Sequence, residues 1–300
     1  MQVLKFRGPP SFKDQVRRTT GRLLEDRWKR RGEYRYKIDR GLGSGGHAVV
    51  HRAHHAWEKG APHVAIKQLK PRYQMEQPEI LVCEALALER VRHENIVRWI
   101  DGPNVDEYGQ FYFAMELLEG KLLEEVLKRG TFPWWVAVEI SIGVCRAAGA
   151  MHAQGLIHRD IKPDNVFLVP NPKGNPRIKI FDLGLAVEIG HEEWDFMPGT
   201  PGHMSPEQIR GTVLKEMSDV YAAGLLLFGM LTGRNPFPGR DAREVCEMNL
   251  WAPPPYPRLV RPDLDIPESV ENVVMRALRK KPEARFPSMQ EMEAALAACR

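Results

Sequence analysis

The sequence reads His158-Arg159-Asp160-Ile161-Lys162-Pro163-Asp164-Asn165 near its middle, and Asp182-Leu183-Gly184 follows seventeen residues beyond Asn165. The first segment offers a carboxylate, a cation and an amide, and the second segment adds another carboxylate. Transfer of a phosphoryl group from a metal nucleotide requires such groups, because it depends on positioning and on neutralising charge. The two segments therefore predict a phosphoryl-transfer centre.

Length and composition are those of an ordinary folded protein. The 300 residues are 43% hydrophobic, enough for one large domain or for two lobes. The longest apolar run, 221–231, is shorter than the roughly 20 residues of a membrane-spanning helix. No apolar segment follows the basic N-terminus, which argues against a secretory signal. We expect a cytoplasmic protein without a membrane span. The four widely separated cysteines predict neither disulfides nor a zinc site, and they are Cys83, Cys145, Cys246 and Cys299.

The positive charge is concentrated at the N-terminus. The net charge is +4, and residues 1–31 contain ten Lys or Arg against three acidic residues, so the remainder is slightly acidic. This distribution argues against a nucleic-acid-binding core. Residues 1–32 also contain a candidate amphipathic helix with Val16, Leu23, Leu24 and Trp28 near one face. An extension that lies against the domain or frays in solvent is the preferred interpretation, and contact with a partner or an anionic surface is the alternative.

A glycine-rich hairpin is predicted after residue 34. Gly41, Gly43 and Gly46 form a G-x-G-x-x-G run, and the strand-like segment 48–53 follows it directly. A glycine run of this kind is a weak signal when it stands alone, but a strand after it favours a hairpin whose backbone amides close over phosphates.

A strand lysine and a helical glutamate come next. Lys67 ends the apolar run Val64-Ala65-Ile66, and Glu84 lies inside a helical pattern over 76–92. Their separation lets a helix packed on the strand turn Glu84 toward Lys67, giving an ion pair that orients a phosphate-binding cation. Segments 95–100 and 111–115 are predicted as further strands.

Five histidines between Gly46 and Lys67 raise the question of a metal site. Strand alternation would scatter them over two faces, and no supporting carboxylate pattern accompanies them. We therefore interpret them as surface histidines, namely His47, His51, His54, His55 and His63.

The second half of the chain is predicted to be mainly helical. A linker at 116–120 precedes it, and no internal repeat is found. The fold class is therefore α+β, with a small β-rich part and a larger α part. The clearest helical patterns cover 132–154, 217–232, 268–279 and 288–299.

The ordered set of motifs, completed by Ser205-Pro206-Glu207, resembles the eukaryotic-like (Hanks-type) serine/threonine protein kinases, in particular bacterial members. The resemblance covers residues 34 to about 298. It implies the bilobal kinase fold, with a basic extension at 1–32, an N-lobe at 33–116 and a C-lobe at 117–300.

The resemblance also implies roles for individual residues in binding ATP with Mg²⁺, or Mn²⁺ in its place. Asp160 would accept or orient the substrate hydroxyl, and Glu84 would hold Lys67 against the α- and β-phosphates. Asn165 and Asp182 would hold the metal ions. The other nucleotide contacts would come from Gly41, Gly43, Gly46, Val49, Ala65, Met115, Glu116, Leu118 and Phe167.

Further implied roles concern specificity and the segment after Asp182. Lys162 is typical of serine/threonine members, and Thr200 is expected near Asp160 and Lys162. His203 stands where a tyrosine is common. Two structural roles are also implied, because Glu207 would pair with Arg285 and Asp219 would hold the backbone of the catalytic loop.

The loop between Gly184 and Gly199 contains no Ser, Thr or Tyr. Arg159 marks kinases that are usually ordered by a phosphate on this loop. One hypothesis is that acidic residues replace the phosphate and leave the kinase active without loop phosphorylation. The alternative is that these residues are solvated loop acids, because exposed ion pairs contribute only ~0–1 kcal/mol. The residues concerned are Glu192, Glu193 and Asp195.

Two other functions stay open at this point. The first is a kinase-like binding module without catalysis, which the intact Lys67, Asp160, Asn165 and Asp182 disfavour. The second is a phosphotransferase for small molecules. The segment Gly199-Thr200-Pro201 before Ser205-Pro206-Glu207 instead favours a protein substrate carrying Ser or Thr.

Overall fold

The computed structural model describes residues 11–26, 35–106, 108–172, 174–191 and 199–300, leaving aside the side chain of Met75. Contacts divide the chain into two compact units. Unit 1 comprises Met1–Glu89 and Trp99–Leu117, and unit 2 comprises Arg90–Arg98 and Leu118–Arg300. Residues 90–98 therefore group with the larger unit, and the predicted domain boundaries stay a prediction.

Unit 1 is built on an antiparallel sheet whose strand order is β1-β2-β3-β5-β4. One face of the sheet carries a cluster of buried side chains that includes Tyr36, Ile66 and Tyr112. Burial of such large apolar groups is the main force holding the strands together. The strands are β1 Tyr36–Ser44, β2 Ala48–His55, β3 Val64–Leu69, β4 Trp99–Val105 and β5 Phe111–Glu116.

The predicted strand at 95–100 is wrong in its first half. Strand β4 begins at Trp99, whereas Ile96 forms an isolated parallel bridge with Ile180 of unit 2. The backbone of Asn95 and Val97 bonds to that of Ile180 at 2.8 and 2.9 Å. The first part of the apolar run 95–100 therefore belongs to unit 2 and its last two residues belong to unit 1. The residue types alone do not show where the run is divided.

The helices of unit 1 include one at the N-terminus. Phe12, Val16, Thr20 and Leu23 are buried at helical spacing, and the helix lies against β4. The described part of the extension therefore lies against the domain, as the preferred interpretation predicted, while Trp28 falls outside the described residues. The helices are α1 Phe12–Asp26, α2 Tyr73–Glu76 and α3 Glu79–Arg90.

Unit 2 is mainly helical. Its helices are α4 Leu123–Leu127, α5 Trp134–His152, α6 Pro206–Arg210, α7 Glu216–Thr232, α8 Ala242–Trp251, α9 Pro257–Val260, α10 Glu268–Ala277 and α11 Met289–Ala297. Helix α5 packs against α7 and α11. Its length and apolar composition would allow a membrane span, but 67% of its most apolar 18-residue window is buried in the protein, as in the core helix of a folded domain.

Short strands of unit 2 position the central motif. Strand β7 ends at Ile157 and β8 begins at Val166, so residues 158–165 connect the two. Strand β8 lies between β6 and β9, and β7 pairs with β10. The central motif is therefore a loop whose two ends are both held in sheets. The strands are β6 Lys121–Leu122, β7 Leu156–Ile157, β8 Val166–Val169, β9 Arg177–Ile180 and β10 Val187–Glu188.

Candidate active site

Three side chains of unit 2 form a connected polar cluster on the 158–165 loop and the segment after Gly199. Nζ of Lys162 lies 2.6 Å from Oδ2 of Asp160 and donates to Oγ1 of Thr200 at 2.8 Å. The hydroxyl of Thr200 donates to Oδ1 of Asp160 at 3.2 Å. The structure therefore brings the predicted carboxylate, ammonium and hydroxyl together.

Asn165 extends this cluster toward the second carboxylate. Its Nδ2 donates to the backbone oxygen of Asp160 at 2.8 Å and to Oδ2 of Asp160 at 3.1 Å. The backbone N–H of Phe181 donates to the carbonyl of Asn165 at 3.1 Å, which ties Asp182 to the same loop. Asp182 is half-buried and has φ of 64°, a left-handed conformation that is uncommon for residues other than glycine.

The metal ions that this chemistry implies would find suitable ligands here. The bonds made by Nδ2 fix the orientation of the Asn165 amide, whose Oδ1 is a hard oxygen donor, and Asp182 supplies carboxylate oxygens. Mg²⁺ and Mn²⁺ both prefer such oxygen ligands, so the donor set fits a divalent cation.

The side chain of Asp219 binds the backbone at the start of the 158–165 loop. Its carboxylate accepts hydrogen bonds from the N–H groups of His158 at 2.9 Å and Arg159 at 3.0 Å. Nε2 of His152 lies 2.8 Å from the same carboxylate. Burial alone would raise the pKa of Asp219, but its hydrogen bond and charge interaction with His152 outweigh burial and lower that pKa. A charged, immobile carboxylate therefore fixes the start of the loop.

Gln208 is a positioning residue that the sequence motifs did not reveal. Its Nε2 donates to the carbonyl of Arg159 at 2.8 Å, while its Oε1 accepts from the N–H of Ser205 at 3.0 Å. Ser205 and Gln208 form a capping box at the start of α6. The spacing S-x-x-Q is a recognisable signal for such a box, although it does not predict the contact with Arg159.

Glu207 and Arg285 form the ion pair that the resemblance implied. The guanidinium contacts both carboxylate oxygens, at 2.7 and 2.9 Å, and both side chains are buried. Burial would raise the pKa of Glu207, but the hydrogen bond from Arg285 and its charge lower it below the usual range. The pair therefore stays charged inside the unit.

His203 is a half-buried histidine whose pKa is affected by the charges of Asp160 and Lys162. Burial lowers the pKa of His203 to about 4, although the negative charge of Asp160 opposes this change. The imidazole is therefore neutral at physiological pH, so it adds bulk and hydrogen-bonding capacity beside the segment that follows Thr200.

Unit 1 contains the predicted lysine–glutamate pair. Nζ of Lys67 on β3 lies 2.5 Å from Oε2 of Glu84 on α3. Glu84 shares the buried face of α3 with Leu81, Ala85 and Leu88, which explains why a charged residue points inward. The helical spacing in the sequence was therefore sufficient to place it.

The predicted glycine hairpin is present and is formed by β1 and β2. Gly41 and Gly43 are strand residues of β1, and the turn covers residues 45–47, closed by a 2.9 Å bond from the N–H of Gly45 to the carbonyl of Ala48. Of the three predicted glycines only Gly46 lies in the turn. A glycine pattern begun two residues later, at Gly43-Ser44-Gly45, would have located it.

The same shift affects Val49. Strand pairing sets Val50 opposite Lys67, and Val49 opposite Gln68. Directly opposed residues share a face, so Val50 lies on the face of Lys67 and Ala65, and Val49 lies on the other face. The register therefore favours Val50 over Val49 as the residue beside Lys67, while the assignment of a nucleotide contact to Val49 stays a prediction.

The remaining predicted contacts are distributed between the units. Ala65 is directly opposite Met115 on β3 and β5, and both are buried. Glu116 ends β5 in unit 1, whereas Leu118 belongs to unit 2. Phe167 lies on β8, with its ring centroid 6.5 Å from that of Phe181. Glu192, Glu193 and Asp195 fall outside the described residues.

Comparison with known proteins agrees with this geometry. The family model described as protein kinase domain matches residues 36–296. This chain belongs to the protein kinase family. The family match and the two units, one β-rich and one mainly α, confirm the predicted fold class.

Relatives of this kinase domain include bacterial serine/threonine-protein kinases, in agreement with the resemblance read from the motifs. Identity to Pkn1 of Myxococcus xanthus is 33% over 276 residues, which cover 87% of this chain and 38% of Pkn1. Identity to PrkC of Bacillus subtilis is 34% over 266 residues, which cover 87% of this chain and 40% of PrkC. Identity to pkn3 of Myxococcus xanthus is 33% over 281 residues, which cover 88% of this chain and 50% of pkn3. The matched region is thus half or less of each relative.

Proposed function

We propose that this kinase domain transfers the γ-phosphate of ATP to serine or threonine hydroxyls of proteins. The observation that carries the proposal is the contact of Asp160 with both Lys162 and Thr200. A carboxylate in this setting accepts a hydrogen bond from a hydroxyl, as it does here from Thr200. A substrate hydroxyl placed beside Asp160 would be oriented in the same way.

Each charged group then has a task in transfer. Asp160 orients the hydroxyl and takes its proton, and Lys162 beside it offsets negative charge that develops on the transferred group. In unit 1, Glu84 orients Lys67 for the α- and β-phosphates. Asn165 and Asp182 would hold Mg²⁺, with Mn²⁺ as a substitute; when bound, the metal neutralises phosphate charge during transfer.

The test is phosphorylation of casein and of a cell extract with γ-labelled ATP and Mg²⁺, comparing wild type with Asp160→Asn. We expect Asp160→Asn to lose about 10²–10⁴ of the rate, which is the range for general acid–base groups. Asp263→Asn is the matched control, because its carboxylate is exposed and paired only locally with Arg261. Phosphoserine or phosphothreonine in the product is the expected result.

Two outcomes would contradict the proposal. Equal protein labelling by wild type and Asp160→Asn would remove the catalytic assignment. Label found only in small molecules of the extract would show a small-molecule phosphotransferase instead.

Three narrower proposals accompany this function. The acidic residues Glu192, Glu193 and Asp195 are proposed to replace an activating phosphate, a proposal that loses its basis if phosphatase-treated protein is inactive.

The exposed basic side chains of α1 support contact of residues 1–32 with an acidic partner or surface. A cytoplasmic location stays a prediction.

A further inference from the structure

Strand pairing in unit 1 brings two of the five histidines together. Strands β2 and β3 are antiparallel, with Ala53 opposite Val64. Continuing this register by one step would set His54 opposite His63, and the centroids of their rings do lie 6.2 Å apart. Alternation separates neighbours along one strand, but it does not separate residues paired across two strands. The expectation that the histidines are scattered therefore fails for this pair.

A bulge in β1 adds a carboxylate to the pair. The β1–β2 register shifts between Ile38 and Arg40, which leaves Asp39 as the extra residue. A bulge re-aims the side chain of the residue that it inserts. Oδ1 of Asp39 lies 2.7 Å from Nδ1 of His54, and Oδ2 lies 3.4 Å from Nε2 of His63.

These three groups have the composition of a metal site. Their potential ligand atoms all lie within 4.8 Å of one another. Two imidazole nitrogens and one carboxylate oxygen suit Zn²⁺ and neighbouring first-row cations. Tetrahedral zinc with ~2.0–2.1 Å bonds separates its ligands by about 3.4 Å, so the His63–Asp39 spacing already fits.

We propose that Asp39, His54 and His63 bind a divalent first-row cation, with Zn²⁺ as the representative ion. Binding through Nδ1 replaces the hydrogen bond between His54 and Asp39, leaves the neutral imidazole of His54 with its proton on Nε2, and widens that contact by less than an ångström. The side chains are 28%, 43% and 43% exposed, in the order Asp39, His54, His63, so water reaches the fourth coordination position.

Arg52 is the residue that opposes binding. Its Nε lies 3.7 Å from Oδ2 of Asp39, on the carboxylate oxygen that faces His63. A guanidinium this close repels a divalent cation and must move aside when the ion binds. The site is therefore of modest affinity in the wild type, and removing the charge of Arg52 strengthens it.

The location gives the site a structural consequence. Strand β1 continues from Asp39 to Gly43, next to the turn at residues 45–47. A bound cation cross-links β1, β2 and the residue before β3 at the base of this hairpin. Metal binding therefore restricts the motion of the glycine hairpin relative to β3.

The test is a titration of the full chain with Zn²⁺. Binding is measured by calorimetry and by competition with a chromophoric chelator. We expect one site in the wild type, with affinity reduced at least ~10-fold in His63→Asn and in Asp39→Asn, a loss typical of damaged metal sites. His55→Gln is the matched control, since His55 neighbours His54 but projects from the opposite face. Arg52→Gln, which retains all three ligands, is expected to bind several-fold more tightly.

The proposal is overturned if no saturable binding occurs below about 1 mM. It is equally overturned if His63→Asn binds as the wild type does, which would place the ion elsewhere, for example at Asn165 and Asp182. If circular dichroism shows that the ligand variants are misfolded, the test rests on Arg52→Gln alone. An affinity of Arg52→Gln for Zn²⁺ equal to that of the wild type would then contradict the assignment. Binding is measured without nucleotide, so failure here leaves the proposed kinase activity unaffected.

Discussion

Two ion pairs, one in each unit, are built in different ways. Lys67 meets Glu84 through one contact of its ammonium, and the lysine side chain stays 15% exposed. Arg285 meets Glu207 through two contacts, and its remaining N–H groups donate to the carbonyls of residues 279, 217 and 280. All five donors of the guanidinium are therefore engaged within unit 2.

The difference follows from the chemistry of the two cations. An ammonium on a flexible stem is a point charge that can be shared with a ligand, whereas a guanidinium is a rigid planar fork. Lys67 is therefore suited to chemistry and Arg285 to architecture. Both are pairs of opposite charges, but one supports activity and the other supports stability. Substituting the cation of each pair should distinguish the two roles.

The largest expected effect is on stability, from Arg285→Met. Glu207 would be left charged and buried without its partner, which costs about 3–5 kcal/mol. Chemical denaturation measures this loss. Arg240→Met is the control, because the pair of Arg240 with Glu244 is exposed and should change stability by at most about 0.5 kcal/mol. A loss below about 1 kcal/mol for Arg285→Met would contradict the assignment.

Lys67→Met should act mainly on activity. Removing one preorganised electrostatic group lowers turnover by about 10²–10³. The unfolding free energy should also fall, because Glu84 is left buried without this cation, but by less than for Arg285→Met, because a single contact of a partly exposed ammonium is lost instead of five guanidinium hydrogen bonds. Kinetics on a peptide substrate and denaturation of the same preparation test both parts, with Lys128→Met as the exposed control. A stability loss as large as that of Arg285→Met would remove the distinction between the pairs.

Acid should weaken the buried pair in unit 2. The pKa of Glu207 in the folded protein is lowered below its unfolded value by Arg285, despite burial. The stabilisation is therefore complete above the unfolded pKa and is lost as pH falls through the folded pKa. Unfolding free energies measured from pH 7 to 3 should fall less steeply for Glu207→Gln than for wild type. Identical slopes would show that Glu207 does not contribute.

The smallest expected effect concerns the nucleotide face of unit 1. Val50→Ala should raise the KM for ATP several-fold, corresponding to about 1 kcal/mol of lost apolar contact. Val49→Ala, on the opposite face, should leave KM unchanged. Steady-state kinetics at varied ATP distinguishes them, and the reverse order would support the assignment of Val49.

Local patterns predicted much of the fold. Predicted helices at 132–154, 217–232, 268–279 and 288–299 correspond to α5, α7, α10 and α11 within two residues at either end. Glu84 was placed correctly because helical spacing alone decides which face it occupies. Such predictions succeed where the determining contacts lie within one element.

Predictions failed where register or distant pairing decides. The bulge at Asp39 and the turn at 45–47 depend on how β1 pairs with β2, so neither the exact position of the turn in the glycine hairpin nor the grouping of His54 with His63 could be predicted from alternation. The contact of Gln208 with Arg159 joins residues 49 positions apart. No local pattern encodes such a distance.

Arg159 and Asp182 are the non-glycine residues with positive φ among those that the structure describes, at 71° and 64°. Such conformations cost about 1–3 kcal/mol each and persist only when their surroundings impose them. The constraints on Arg159 come from Gln208 and Asp219, the latter 60 residues further along the chain. During synthesis, the catalytic loop therefore acquires its shape only after α6 and the start of α7 have emerged. Until then the nascent chain carries the catalytic residues without their geometry and is inactive as an enzyme.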